Sequence, residues 1–346
     1  MPHQGARRGR AGVRTRLYVC INSCRCVYRL NAQGTVYSIV QFTDLHLGDR
    51  KDTVVLQLML RVVSTERQDL DVFTGDQVAR YAVMSPSAMR ELWVKALSVA
   101  AEFGVPFATI FGNHDDQPYK TDPLLWHHWL LPGTFVALGL YALMCRVRVG
   151  RWLMVPLMLL VFLSIMTRPN TDTRRALLKL ERQAYPRLSH TGDGDYRLVV
   201  RGVAADALAL YFLDTGGGWI PEAIRRDQLN WLRRFDPMPS LAFMHIPPFG
   251  DGTFNASACQ EGPAPLETTS RCPGSETVLQ TLAAMGTRGV FVGHDHDNSW
   301  CCPAPSAPPM LLCYGRHAGG YGILTPGARI IDWHWANATI ETRVVE

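Results

Sequence analysis

The sequence is short of charge, and where it is most basic it has no acid at all. Only 19% of its 346 residues are Asp, Glu, Lys or Arg, below the roughly 25% of an average soluble domain, so some stretch must be depleted. That stretch is residues 124–166, 43 positions whose only charges are Arg146, Arg148 and Arg151. Residues 1–30 hold seven Arg and no Asp or Glu. Without these two segments the net charge of +5 becomes −5. A body of that sign is a poor polyanion binder, so no nucleic-acid binding is expected.

Other absences narrow the class further. There is no internal repeat, no low-complexity tract and no Cys-x-x-Cys pair of the zinc-knuckle kind. After the Arg-rich start the only apolar run is Leu17–Ile21, too short for the apolar region of a signal peptide. A hydrophobic content of 47% is ample for a packed core and excludes disorder, collagen and small disulfide scaffolds. Nine cysteines are present. Their spacing suits Cys302–Cys313 and Cys259–Cys272 as disulfides if the compartment is oxidising. The sequons Asn255-Ala-Ser257 and Asn337-Ala-Thr339 point the same way, so the secretory-pathway lumen or membrane is favoured as location, with the cytoplasm left open.

Residues 1–34 read as a basic, disordered N-terminal tail, and residues 35–346 as one domain. Within it, short apolar runs alternate with amphipathic stretches. The runs are Val36–Phe42, Leu70–Thr74, Pro106–Phe111, Leu208–Leu213, Leu241–Met244 and Gly289–Val292; continuous apolar character marks strands buried on both faces. Residues 53–67, 86–103, 221–234 and 275–286 read as helices, the second opened by Ser85-Pro86 as cap and first helical residue. Such alternation predicts a layered α/β fold. Residues 122–170 interrupt it as an apolar helical-hairpin insertion. Its first run, Leu124–Cys145, is long enough to span a bilayer, so membrane association through 124–166 is one expectation; a soluble insertion packed on the body is another. Trp333-His334-Trp335 is expected to pack on a sheet edge.

Five apolar runs end in groups able to hold a metal. They lead into Asp44-Leu-His46, Gly75-Asp76, Gly112-Asn113-His114-Asp115, His245, and Gly293-His294-Asp-His296. In an open α/β sheet the loops at the carboxyl ends of the strands converge on one crevice. Seven ligands, Asp44, His46, Asp76, Asn113, His245, His294 and His296, can then complete two adjacent cation shells if one carboxylate bridges. Mixed nitrogen and oxygen donors favour Fe, Mn or Zn over Ca. Two such ions suit hydrolysis of a phosphate ester.

These motifs, in this order, resemble the calcineurin-like metallophosphoesterase superfamily over about Val36–Arg343, less the insertion. The resemblance implies a four-layer α/β/β/α sandwich and two divalent or trivalent ions. Asp44, His46, Asp76 and His296 would hold one ion, and Asp76, Asn113, His245 and His294 the other. It also implies His114 as the catalytic residue facing the substrate and Asp115 as the residue orienting that imidazole. Tyr211-Phe-Leu-Asp214-Thr-Gly, Phe243-Met-His245-Ile-Pro-Pro and Cys313-Tyr-Gly-Arg-His317-Ala-Gly-Gly-Tyr-Gly322 are similar to a branch of fungal phosphatases and plant purple-acid-phosphatase-like proteins. True purple acid phosphatases carry a tyrosine ligand three residues after the bridging Asp. Here that position is Ala79, so no iron–tyrosinate centre is expected. In that branch a helix like Thr173–Glu181 and a strand like Asp195–Val200 follow soon after the Gly-Asn-His-Asp segment. Tyr314, Arg316 and His317 are weaker candidates, either for contact with phosphate or for a surface loop.

The expected function is dinuclear-metal-dependent hydrolysis of phosphomonoesters by a hydroxide bridging the ions. The alternatives are a phosphodiesterase acting on nucleotides or lipids, and a membrane-tethered binding protein with impaired catalysis.

Overall fold

The computed structural model describes residues 27–31, 34–48, 51–79, 86–115, 171–202, 207–217, 220–250, 253–254, 256–259, 266–275, 277–305 and 310–346. The proposed insertion, 122–170, lies outside them. Among the described residues no helix is long and apolar enough to cross a membrane.

Two sheets form the centre. One has five strands in the order β12-β11-β2-β3-β4, with β2 at Val36–Phe42, β3 at Leu70–Thr74, β4 at Phe107–Ile110, β11 at Ala328–His334 and β12 at Thr339–Val345. The other has seven, ordered β1-β5-β6-β7-β8-β10-β9, from β1 (Val27–Asn31), β5 (Tyr196–Arg201), β6 (Ala207–Phe212), β7 (Ser240–Phe243), β8 (Thr287–Val292), β9 (Cys301–Pro303) and β10 (Leu311–Tyr314). The α-helices among the described residues are α1 (Asp52–Thr65), α2 (Pro86–Phe103), α3 (Thr171–Ala184), α4 (Arg226–Leu232) and α5 (Val278–Ala284). All six strands and all four helices expected from the apolar patterning are present.

Side-chain alternation explains the layering. Along β2, Tyr37 and Ile39 join Leu70, Val72 and residues of the seven-stranded sheet in one core between the sheets. Val40 and Phe42 point the other way, joining Phe73 and Phe107 in a second core built against α1, α2 and α3. Leu229, Leu232, Val278 and Leu282 of α4 and α5 belong to the first core. The fold is thus two sheets flanked by helices, as the four-layer sandwich requires.

Four expectations are corrected. Residues 27–31, assigned to the tail, pair in parallel with β5 and extend the sheet; a five-residue strand held by backbone pairing has little apolar signature. Trp333 is not at a sheet edge, because β11 pairs with both β2 and β12 and the indole is 1% exposed. The disulfides are Cys259–Cys302 and Cys301–Cys313. Cys301, not Cys302, lies opposite Cys313 in the antiparallel ladder, so its neighbour Cys302 faces the other side and meets Cys259. The helix expected over 221–234 begins only at Arg226, because the Ala223 and Ile224 amides donate to Thr215 and Pro273 instead.

Candidate metal centre

Strands β2, β3 and β4 run parallel in one sheet, and β6, β7, β8 and β10 in the other. Their carboxyl ends carry the sequence motifs to one place. Backbone bonds lock the loops together there: Asp44 N donates to Gly75 O at 3.1 Å, His46 N to Asp76 O at 2.9 Å, Gly293 N to His245 O at 3.0 Å and Gly319 N to Asp44 O at 2.9 Å. Among the described residues five non-glycines have positive φ, and four are Asp44, His46, Asp76 and His294. A left-handed backbone costs an L-residue about 1–2 kcal/mol, and such strain persists where the surroundings over-determine it, typically at functional sites.

Two glycines make the close approach possible. Gly75 sits at φ +97°, and a Cβ there would lie 2.5 Å from His245 Nδ1. At Gly112 a Cβ would fall 2.3 Å from the Asp76 amide nitrogen. No larger residue fits between these loops.

The donor atoms cluster. His46 Nε2 and His296 Nε2 are 3.1 Å apart, with Asp44 Oδ1 at 3.9 Å and 3.4 Å respectively. Asp76 Oδ2 lies 3.3 Å from His245 Nε2, 3.8 Å from His46 Nε2 and 3.9 Å from His114 Nε2. Asn113 Oδ1 is 3.1 Å from His245 Nε2, whose Nδ1 is oriented by the Thr74 carbonyl at 2.9 Å. The His294 ring stands 5.2 Å from that of His245, edge to face, and its amide donates to Asp44 Oδ2 at 3.0 Å; its ring nitrogens are outside the tightest donor groups. All seven expected ligands therefore border one centre.

Electrostatics fit a cation. Burial opposes charge on Asp44 and Asp76, yet the imidazoles around them hold both well below the usual carboxylate range. For His245 burial favours the neutral ring, but the Asp76 carboxylate overcomes it and pushes the pKa up to about 10. His46 goes the other way, to about 4, because burial dominates there. Asp44 Oδ1 is buried and accepts no hydrogen bond. A buried carboxylate oxygen left so is costly unless something else satisfies it, and a metal ion held by Asp44, His46 and His296 would. Asp76 Oδ2 faces His245, His46 and His114 together.

Asp115 departs from expectation. It does not orient His114: Oδ2 accepts from Asp76 N at 2.9 Å and Gly112 N at 2.8 Å, and Oδ1 accepts from Val78 N at 3.0 Å. It ties the loops after β3 and β4 together. The weaker candidates are engaged elsewhere, although the His317 ring stands 6.1 Å from that of His296. The Tyr314 hydroxyl donates to Asp295 Oδ2, Arg316 pairs with Glu346 at 2.7 Å, and both His317 nitrogens face carbonyls of its own loop. Ala79 is 4% exposed, with its amide on Leu47 O, and brings no phenol to the centre. Two neighbours of the centre were not foreseen. Thr43 Oγ1 donates to Asp44 Oδ2 at 2.7 Å, a contact that nothing in the Thr-Asp order announces. The Tyr321 ring lies 4.7 Å from that of His46; its place in the Gly-Gly-Tyr-Gly stretch was the available signal.

The class defined by this fold and centre is a two-sheet α/β protein with a metal-binding crevice at its strand ends. The profile of the calcineurin-like phosphoesterases matches residues 37–298, and the chain belongs to that family. It is 27% identical over 370 aligned positions to "Probable inactive purple acid phosphatase 28" of Arabidopsis thaliana, across 91% of this chain and 77% of that one. It is 24% identical over 314 positions to "Phosphatase DCR2" of Saccharomyces cerevisiae, across 81% of this chain and 47% of that one. A solved structure of a dimetal phosphatase from Danio rerio aligns with 90% of this chain and 100% of its own at a TM-score of 0.45 and 11% identity.

Proposed function

We propose that the protein is a phosphomonoesterase using two metal ions. Asp44, His46 and His296 would hold one, Asn113, His245 and His294 the other, and Asp76 both. Ions bound there would supply Lewis-acid activation of water and of the phosphoryl group. The observation that carries the reading is the buried Asp44 Oδ1, unpaired by any hydrogen bond and facing two imidazoles.

The chain's own residues do the rest. His114 has a side chain 25% exposed, on the partly open side of the cluster. Its ring stands edge-on to His46 at 5.0 Å, and its amide is fixed on Asp76 Oδ1 at 2.8 Å. An imidazole so placed can bind a phosphoryl oxygen or give a proton to the leaving alkoxide. Thr43, the Thr74 carbonyl and Asp115 keep Asp44, His245 and Asp76 aimed. The plant relative's name calls that protein probably inactive; in this chain none of the seven ligand positions is replaced.

Hydrolysis of an aryl phosphate with added Mn, Zn or Fe, and with EDTA, tests this. Chelator-sensitive turnover that falls at least about 100-fold in Asp76→Asn and His114→Ala is expected; undiminished turnover in either variant would refute the assignment. Turnover of diesters alone would transfer the same centre to the phosphodiesterase reading.

A further inference from the structure

The loop after β10 is bonded along its length and yet displays apolar groups to solvent. Ala318 N donates to Thr43 O at 2.9 Å, Gly319 N to Asp44 O at 2.9 Å, and Lys51 Nζ to Gly320 O at 2.9 Å. Ile323 N donates to Asp297 Oδ1, and the Leu324 carbonyl meets His317 Nε2 at 3.0 Å. So anchored, the loop has little freedom to turn its side chains inward. Tyr321 is 41% exposed and Ile323 79%.

Their position gives the exposure meaning. The Tyr321 ring lies edge-on to His46 at 4.7 Å and tilted over His296 at 5.9 Å between centroids. Four members of the cluster are partly exposed, Asn113, His114, His294 and His296, with the His114 and His296 side chains each 25% exposed, so this side marks where a phosphoryl group enters. Most of the cluster's inner wall is carboxylate, amide and imidazole. An aromatic face beside that entrance, with the exposed Ile323 two residues on and its amide on Asp297 next to His296, offers a different surface, suited to a planar or apolar group carried by the phosphate.

We propose that Tyr321, with Ile323, forms a leaving-group subsite that selects aryl phosphates over small hydrophilic alkyl phosphates. This rests on the reading that phosphoesters bind at the metal centre, and it adds the substrate class. Aromatic pairs of this kind contribute a few-fold to about tenfold in affinity beyond simple burial. The phosphate is held by the centre, and the ring acts only on what the phosphate carries.

The test is binding of phenylphosphonate and methylphosphonate to the Mn-loaded protein by calorimetry, with phenyl phosphate turnover measured alongside. The wild type is expected to prefer phenylphosphonate. In Tyr321→Ala that preference should fall about tenfold with methylphosphonate binding and Mn content unchanged, and Tyr321→Phe should keep it. Equal weakening of both ligands would mean that the ring supports His46 instead, and would overturn the proposal. So would an unchanged preference, or no binding of either phosphonate to the wild type. Selective binding without any turnover would leave the subsite standing and refute the phosphatase.

Discussion

Replacing Gly112 with alanine tests the centre through packing, without touching a donor atom. The added carbon would sit 2.1 Å from Asp76 Oδ1, 2.3 Å from its amide nitrogen and 2.7 Å from Cγ, where Cβ atoms do not approach closer than 3.0 Å. Asp76 cannot simply retreat, since its amide is held by Asp115 at 2.9 Å and its Oδ1 by His114 N at 2.8 Å. Such overpacking costs about 1–3 kcal/mol. Gly104 is the matched control. It lies at φ +68° with no atom within 4 Å of an added Cβ, so Gly104→Ala costs about 1–2 kcal/mol of left-handed strain far from any ligand. The two variants thus lose similar stability and differ in what the methyl meets. Thermal melting with and without Mn separates them. At 100 times its dissociation constant one ion adds about 2.7 kcal/mol. With about 2.1 cal/mol/K of unfolding entropy per residue over 346 residues, that is a rise of about 4 °C. Gly104→Ala should keep the rise, whereas Gly112→Ala should lose it or need at least about tenfold more Mn. A full rise in Gly112→Ala at the wild-type concentration would show that Asp76 is not a ligand.

Asp71, fully buried in β3, has its carboxyl pushed up to about 8 by burial, so it is neutral in the fold and ionised when unfolded above about pH 4. Its contribution is therefore undiminished below pH 4 and lost at about 1.4 kcal/mol per pH unit up to pH 8; in urea unfolding, Asp71→Asn should lack this slope, and an identical slope would refute the protonation state. Cys302→Ser opens the bridge to Cys259, 43 residues away, and the chain-entropy model gives a loss of about 4 kcal/mol, read as a lower urea midpoint; an unmoved midpoint would contradict the pairing. Asp115→Ala strands three buried amides at about 1–3 kcal/mol each. It should depress melting by several degrees, while His114→Ala, which loses a partly exposed ring, should melt near the wild type; the reverse order would restore Asp115 to a catalytic role.

The strands that bear the centre were legible because strands buried on both faces must be continuously apolar, and because each ends in residues of unusual chemistry at short spacing. What escaped notice lacks that signature. In β12 exposed and half-buried positions alternate through Thr339, Glu341 and Arg343, and β9 has only three residues. Cys301 and Cys302 are adjacent, so spacing alone does not tell which faces Cys313; only the ladder register decides. The family resemblance gave Asp115 the role of orienting the His114 ring. The backbone turn instead sends the carboxylate to amides 39 and 37 residues away in the loop after β3, together with that of Gly112, a direction no linear pattern records.

The clamp formed by Asp115 also bears on how this chain tolerates added length. The Asp115 carboxylate fastens the chain to three amides before the apolar interval. The chain is fastened again on the far side by Arg174, which pairs with Asp214 and lies 4.8 Å over the Phe111 ring. A pull on the chain between two such moorings would load the clamps before it reached the ligands. Doubling the interval raises closure entropy by only about 0.6 kcal/mol. A chain clamped at two places near its candidate centre thus takes added length between them at little cost, as a rope is lengthened between two cleats.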